Sequence, residues 1–565
     1  VWARGGVHTV KADDNVTMAS YYRCWIARGI PCMVLLVLLV GCGPKNYKQD
    51  ADERVYSILD RQWDPEFGTK ANYRVSDVEP SALDVRVDKA IPSSGVLTLP
   101  EAVAMATAHN REYQTQKELL YASALDQRLV RHQFETSLFG GASLFYSGDG
   151  TDEAVELEAN VGFNRLLATG TQITAALATA WTEVLLGPRE TGLSSLFAAS
   201  VTHPLLRGSD PAIVLEGLTQ AKRDTLYQIR TFNRFRKTFV VWVVTQYLEA
   251  LELHERVRNA EEQVAALGRL RDQARDLASA GRLPVIEVDR LQEEVLLMRE
   301  AHIVAQRQYE QSLDQYKIAL GMAPTEDFRL DAEAMRSLAE SGLAEPTFAE
   351  REAIDTALYH RLDMANAADA VLDAQRHVHV AADQLRADLR LGGTVELDTD
   401  GGKRGTAGAS LDLPLDRVAE QAAYRQTLIA LSQRQRDYDL AADTVRVEVR
   451  QAHRQLREAA RRYHTLLEAR DLAQVRLEKT YALLQYGRTS SRRVLSAQQD
   501  LYTVKNALTD ALTDYAIATL NFYRDTGVLR VRPDGMWETG AGAVEIARQT
   551  DRPALPQERQ EGRGR

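Results

Sequence analysis

Cysteine is nearly absent: the chain has 3 in 565 residues, all within the first 42. Cys24 and Cys32 fall in a segment that reads as removable, so Cys42 is left alone, which excludes an intramolecular disulfide framework and a thiolate metal cluster. Proline is also sparse, with 16 in all and none between Pro211 and Pro284 or between Pro414 and Pro533. Nothing in those two stretches forces a helix to stop. Aromatic residues are only 7%, which leans away from a compact aromatic core and towards long helices, and a net charge of -10 gives no reason to expect a nucleic acid partner. The apolar run from Met33 to Val40 is far shorter than the ~20 residues a membrane-spanning helix needs. Catalytic patterns are missing too. There is no Ser/His/Asp order and no isolated carboxylate pair, and Gly401 to Gly405 (GGKRG) lacks phosphate-loop spacing and reads as a strand turn. His377 and His379 would share a face on a strand, but on the helix expected there they diverge, so neither a metal nor another cofactor is expected.

What is present begins with an address. Met18, Arg23 and Arg28 precede the apolar run, and small residues follow it, in the order of a secretory signal peptide. Leu39, Val40, Gly41 and Cys42 resemble the bacterial lipobox, in which the cysteine is acylated. The expected divisions are a possible extension at 1–17, a lipoprotein signal peptide at 18–41 and a lipidated arm at 42–97.

The proline-free stretches carry apolar residues three and four apart, and helices filling 212–279 and 418–485 would each be roughly 100 Å long. Two rods of equal length point to a chain written twice. Gly281-Arg282 and Gly487-Arg488 are 206 residues apart, as are Gly321 and Gly527; Glu101-Ala102 and Glu352-Ala353 are 251 apart. Before each rod comes a proline junction, Pro204 and Pro414, 210 apart.

Ahead of those prolines the period changes to two. Val155, Leu157, Ala159, Val161 and Phe163 alternate with Glu156, Glu158, Asn160, Gly162 and Asn164, the pattern of a strand with one apolar face. Strand-like segments at 137–146, 171–181 and 194–204 join it in the first unit, and 389–398 and 409–416 form a shorter version in the second, with a turn at 399–408. Such lengths suit transmembrane barrel strands of about 9–11 residues.

Each unit thus runs helix, strands, proline, very long helix, glycine turn, shorter helix. That order, with the helix entry Thr98-Leu99-Pro100-Glu101-Ala102, the strand exit His203-Pro204-Leu205-Leu206-Arg207-Gly208 and the two glycine turns, resembles the TolC-type outer-membrane efflux channel family. The resemblance implies a mainly α protein with β: two tandem units at 98–322 and 347–528, a linker at 323–346, and a disordered tail at 529–565. It implies a homotrimer forming one outer-membrane β-barrel and one periplasmic α-helical tunnel, lipid-anchored in the outer membrane. The function implied is a passive exit duct of a tripartite efflux pump or type I secretion system, partnered by a periplasmic adaptor and an inner-membrane transporter. Two strands per unit would give the family's usual barrel; the four segments of the first unit either enlarge it or form an exposed hairpin. The rival readings are a lipid-anchored periplasmic adaptor and a coiled-coil envelope scaffold.

By the same resemblance the turns at Gly281-Arg282 and Gly487-Arg488 dock the adaptor. In the family, acidic residues six and nine places after the second turn glycine narrow the entrance; here Arg493 and Ser496 stand there. Glu287 occupies the sixth place of the first unit. Arg493 therefore reads as a positive ring, as an interlock with Glu287 of a neighbouring hairpin, or as a solvated side chain.

Overall fold

The computed structural model describes residues 44–68, 70, 73–75, 95–148, 153–186, 191–335, 349–399, 401–413, 415–486 and 488–532. The expected signal peptide and lipobox (Leu39, Val40, Gly41, Cys42), Pro414, Gly487 and the part of the expected tail beyond residue 532 lie outside them. Residues up to Asp60 and those from Arg61 onward form two units. The first contains most of helix α1 (Pro44–Gln62).

The second unit holds the rest. Strand β1 (Val96–Leu97) leads into α2 (Leu99–His109), whose start is fixed by Thr98 donating its N–H to Glu101 Oε2 at 2.9 Å, with Pro100 in the first turn. Asn110 interrupts the chain and starts α3 (Arg111–His132): its Oδ1 accepts the Tyr113 N–H at 3.1 Å while its amide donates to Ala319 O at 2.8 Å. Four strands follow, β2 (Ser137–Gly148), β3 (Glu153–Leu166), β4 (Gln172–Leu186) and β5 (Thr191–Pro204). After them come α4 (Glu216–Ser279) and α5 (Val285–Ala319). Strand β6 (Arg329–Leu330) pairs in parallel with β1. The order then recurs as α6 (Glu350–His360), α7 (Leu362–Gln384), β7 (Asp388–Asp398), β8 (Lys403–Asp412), α8 (Val418–Gln485) and α9 (Ser491–Asp525).

Two boundaries differ from the sequence reading. The first rod starts at Glu216, because a separate helical turn at Pro211–Val214, capped by Asp210 Oδ1 on the Ala212 N–H, ends where Leu215 leaves helical geometry. The last strand runs over 403–412 instead of 409–416. Its ladder to β7 is held by Thr394 facing Thr406, so the connection shrinks from 399–408 to the few residues around Gly401, and Lys403 to Gly405 of GGKRG belong to the strand. Gly and Ala alternation in this stretch has little polarity to mark a strand. His377 and His379 lie on helix α7, and among the described residues no three His, Cys, Asp or Glu side chains are placed to hold a metal.

The core differs along the chain. Around α4 it is aromatic: Tyr113 meets Phe232 and Phe239 at ring distances of 5.8 and 5.0 Å, and Tyr247 packs on Tyr316 at 6.0 Å. The Tyr247 hydroxyl donates to Leu97 O and accepts the Asp331 N–H, tying the β1–β6 pair to α4. Around α8 it is built largely of small residues, with Ala353, Ala357, Ala442, Ala452 and Ala460 letting helices approach closely beside Tyr515 and Phe522.

The two helix breaks are closed the same way. Gly321, at φ 80°, turns the end of α5 against the break at His109–Asn110; Gly527, at φ 79°, turns the end of α9 against His360–Arg361. A Cβ at Gly321 would lie 2.4 Å from His109 O, and one at Gly527 3.1 Å from His360 C. At the second break the polar group is ionic, Arg361 pairing with Asp363 at 2.7 Å and Glu448 at 2.5 Å.

Candidate functional site

Two regions carry the arrangement that function can use. They lie at opposite ends of α4, which spans about 96 Å at 1.5 Å per residue.

The first is the sheet. All six strands form one antiparallel sheet in the order β2-β3-β4-β5-β7-β8. Paired residues share a face, and the pairings align apolar positions across all six strands, while Phe139 and Phe145 of β2 and Leu196 of β5 fall on the other face. One row runs Leu144, Leu157, Trp181, Leu193; another runs Leu138, Phe163, Ala175, Ala199, Val395, Gly405. The opposite face carries Ser143 against Glu158, and Ser200, Thr394 and Thr406 in one row. Most large side chains of the apolar face are open, with Leu138 80%, Leu193 69% and Val395 51% exposed. A soluble sheet would cover such a face. Among the described residues the sheet is open, since β2 and β8 stand at its two ends.

The sheet is seated on the helices by polar locks at the strand ends. Pro204 is the last residue of β5, buried, with the next N–H, that of Leu205, donating to Leu389 O at 2.7 Å. Arg207 pairs with Asp388 at 3.0 Å, and the Gly208 N–H donates to Asp383 Oδ2 at 2.7 Å. Below them Arg223, Arg230 and Arg376 are interleaved with Asp369, Asp373 and Glu216 between α4 and α7. Burial, and then its hydrogen bond to Asp373, pushes the Tyr227 hydroxyl up to about 12. This cluster was not singled out in the sequence, because its members are spread over 160 residues of charged helix faces.

The second region is the pair of helix turns. Gly281 has φ 71° and follows the end of α4, where the Arg282 N–H reaches back to Leu277 O at 2.9 Å; the Arg488 N–H reaches Leu483 O at the same distance. Both arginines are exposed. The turns are held together by one apolar cluster, with Leu267, Leu270, Val288 and Leu291 of the first hairpin against Leu484, Val494 and Leu495 of the second. Glu287 is engaged inside the chain: Ser491 Oγ donates to its Oε2 at 2.8 Å and Arg290 lies 3.5 Å away. Arg493 and Ser496 are exposed on α9, and within the chain Arg493 is not on Glu287. Sequence reasoning missed Val285 and Ile286, which stand beside the first turn 67% and 66% exposed; Tyr486, which precedes the glycine of the second turn, is 80% exposed. For Val285 and Ile286 the signal was an apolar pair at the start of α5, directly after Pro284.

Among the described residues no helix is long and apolar enough to cross a membrane. No family model matches the sequence, and no curated protein matches it. Solved structures do. The open-state MtrE outer membrane channel of Neisseria gonorrhoeae is 14% identical with a TM-score of 0.55, covering 76% of this chain and 88% of that one. The outer membrane protein VceC from Vibrio cholerae is 14% identical with a TM-score of 0.54 over 76% of this chain and 96% of its own. The Campylobacter jejuni CmeC outer membrane channel is 12% identical with a TM-score of 0.54, over 86% and 94%.

The fold is that of the TolC-type outer-membrane channels. Within the TolC-type fold of this chain, strands and glycine turns occupy separate ends of the long helices.

Proposed function

We propose that three copies of this chain form a passive exit duct, with strands closing one barrel in the outer membrane and helices lining one tunnel across the periplasm. The observation that carries the reading is the exposed apolar face running across the sheet. An open sheet leaves edge N–H and C=O groups that lipid cannot satisfy, so closure has to come from further chains. The matched order of elements on either side of residues 323–346 supports two tandem units. The duct would serve a tripartite efflux pump or type I secretion system, taking an adaptor at the turns around Gly281-Arg282 and Gly487-Arg488 and drawing energy from an inner-membrane transporter. Exposed Val285, Ile286 and Tyr486 give that dock apolar contact area. Cys42 would carry the acyl anchor, auxiliary to the barrel.

The test is purification from outer membranes without boiling. A heat-modifiable trimer that conducts in a planar bilayer is expected, and Cys42→Ala should keep it. A Cys42→Ala chain that is soluble and monomeric would instead favour the adaptor or scaffold reading. Arg493 is proposed to face the entrance, where a threefold ring of positive charge is focused by low-dielectric walls. Arg493→Glu should move the reversal potential towards cations, or raise resting conductance if Arg493 holds a neighbouring chain's Glu287. Unchanged selectivity and conductance would remove Arg493 from the entrance.

A further inference from the structure

We infer that β2 is the subunit seam of an eighteen-stranded barrel, six strands from each of three chains, in which the free edge of β2 pairs with β8 of a second copy. The inference rests on the trimeric duct proposed above and fixes its membrane part. The alternative is that only β4, β5, β7 and β8 line the barrel, twelve strands in all, with β2 and β3 standing outside as a hairpin.

The ladder speaks first. β2 pairs with β3 from Ser137↔Asn164 to Gly148↔Glu153 without a shift, and β3 continues along β4 from Leu166↔Gln172 to Ala154↔Val184. Phe139 covers Gly162 of β3 so closely that a Cβ there would lie 2.6 Å from its ring, and 2.5 Å from Ala175 O of β4. A glycine under an aromatic ring pins the register of the outer pair.

Polarity speaks second. Leu138, Leu144 and Tyr146 fall on the same face of the sheet as Leu177, Phe197 and Val395. A hairpin standing in water gains nothing by matching the lipid face of its neighbours. Strands of 12 and 14 residues also exceed the about 9–11 that a spanning strand requires.

The edge speaks third. An exposed edge strand is ordinarily blunted by charge or proline. β2, SLFGGASLFYSG, has neither. Direction agrees as well: every neighbouring pair is antiparallel, so the sixth strand runs opposite to the first, and β8 of one chain meets β2 of the next in the same sense as every other pair. Diameter grows roughly in proportion to strand number, and barrels of about 16–18 strands leave an aqueous channel, so the lumen section would be roughly twice that of a twelve-stranded barrel. Glu156 and Glu158 of β3 would then face that lumen, adding six carboxylates to it.

Disulfide crosslinking in the full chain tests this. Both strands meet the helices at Ser137 and Asp412, which sets Ser143 near the level of Thr406. Ser143→Cys is combined in turn with Thr406→Cys, Gly408→Cys and Ser410→Cys, with each single variant as control. A covalent trimer from one of these pairs is expected. The same β8 variants are combined with Ala178→Cys of β4. A trimer that crosslinks through Ala178, or through neither strand, overturns the inference and leaves the trimeric duct standing; a chain that stays monomeric without crosslinks overturns the duct itself. As a second variant, deletion of 137–166 should leave a conducting trimer whose conductance falls at least twofold. Unchanged conductance in that deletion would place β2 and β3 outside the barrel and overturn the inference.

Discussion

The rods α4 and α8 have nearly the same length and opposite surroundings. α4 buries 21 of its 64 residues and α8 only 8 of its 68, so one rod is wrapped by its own chain and the other is largely bare. The bare surface is not uniformly polar. Val418, Ile429, Leu440 and Val447 are exposed at spacings of eleven, eleven and seven residues, which return to one side of a helix. A periodic stripe shows where a helix lies and which side is apolar. It does not show whether the covering side chains come from the same chain.

Substitutions can break that contrast. The largest effect should come from the wrapped rod: Phe232, fully buried between Tyr113 and Trp63, should lose about 3–5 kcal/mol of chain stability as Phe232→Ala, read by urea unfolding of the detergent-solubilised chain. An effect under about 1 kcal/mol would mean that the aromatic core around α4 is loosely packed.

Next are the two closing glycines. Gly321→Ala combines a left-handed backbone, about 1–2 kcal/mol, with a collision against His109 backbone, about 1–3 kcal/mol. Gly527→Ala keeps the first cost and little of the second, since its nearest neighbour is at 3.1 Å. Gly281→Ala meets nothing within 4 Å and should cost least. Equal losses at Gly321 and Gly527 would show that the two halves are closed equally tightly.

A smaller, pH-dependent effect is expected at Lys237, which joins the halves by donating to Gly527 O at 2.8 Å. Burial, and then the charges of Arg234, Arg530 and Arg236, push its ammonium down to about 8 from 10.5. Between those values the unfolded chain binds the proton and the folded chain does not, so stability should rise as pH goes from 8 to 10.5. Lys237→Met should remove that rise. A wild-type curve flat over the same window would place the ammonium in solvent.

The smallest effect on the chain itself should come from the bare rod. Leu440→Asp with Val447→Asp should change monomer unfolding by less than about 0.5 kcal/mol each while shifting the proposed trimer to monomer in size-exclusion light scattering. A trimer that survives both changes would leave this stripe facing solvent.

The rods, both hairpin turns and the strand period were legible because proline gaps, glycine and period-two alternation are strong local signals. Helix α8 begins and ends at the residues its pattern predicts. The start of β8 was not legible, because Gly405, Ala407, Gly408 and Ala409 have no contrast between faces and the register comes from β7. The helix breaks were not read from the sequence: Asn110 caps its helix through the nearby Tyr113 N–H, whereas Arg361 becomes a junction residue only through Glu448, 87 residues away. At the turns, Glu287 was singled out but its hydrogen-bond partner Ser491 was not, since that pairing depends on how two distant hairpins pack.

The uncharged edge of β2 also bears on how such a molecule is made. In the proposed trimer, a barrel shared by three chains has no complete form before the third chain arrives, so its formation rate would rise with a power of concentration above one. Until then each chain exposes an adhesive strand and an apolar sheet face in an aqueous compartment. Overproduction should therefore shift the outcome from barrels to aggregates unless periplasmic chaperones hold the sheet, and their supply, rather than the folding speed of one chain, would limit how many ducts a cell can assemble.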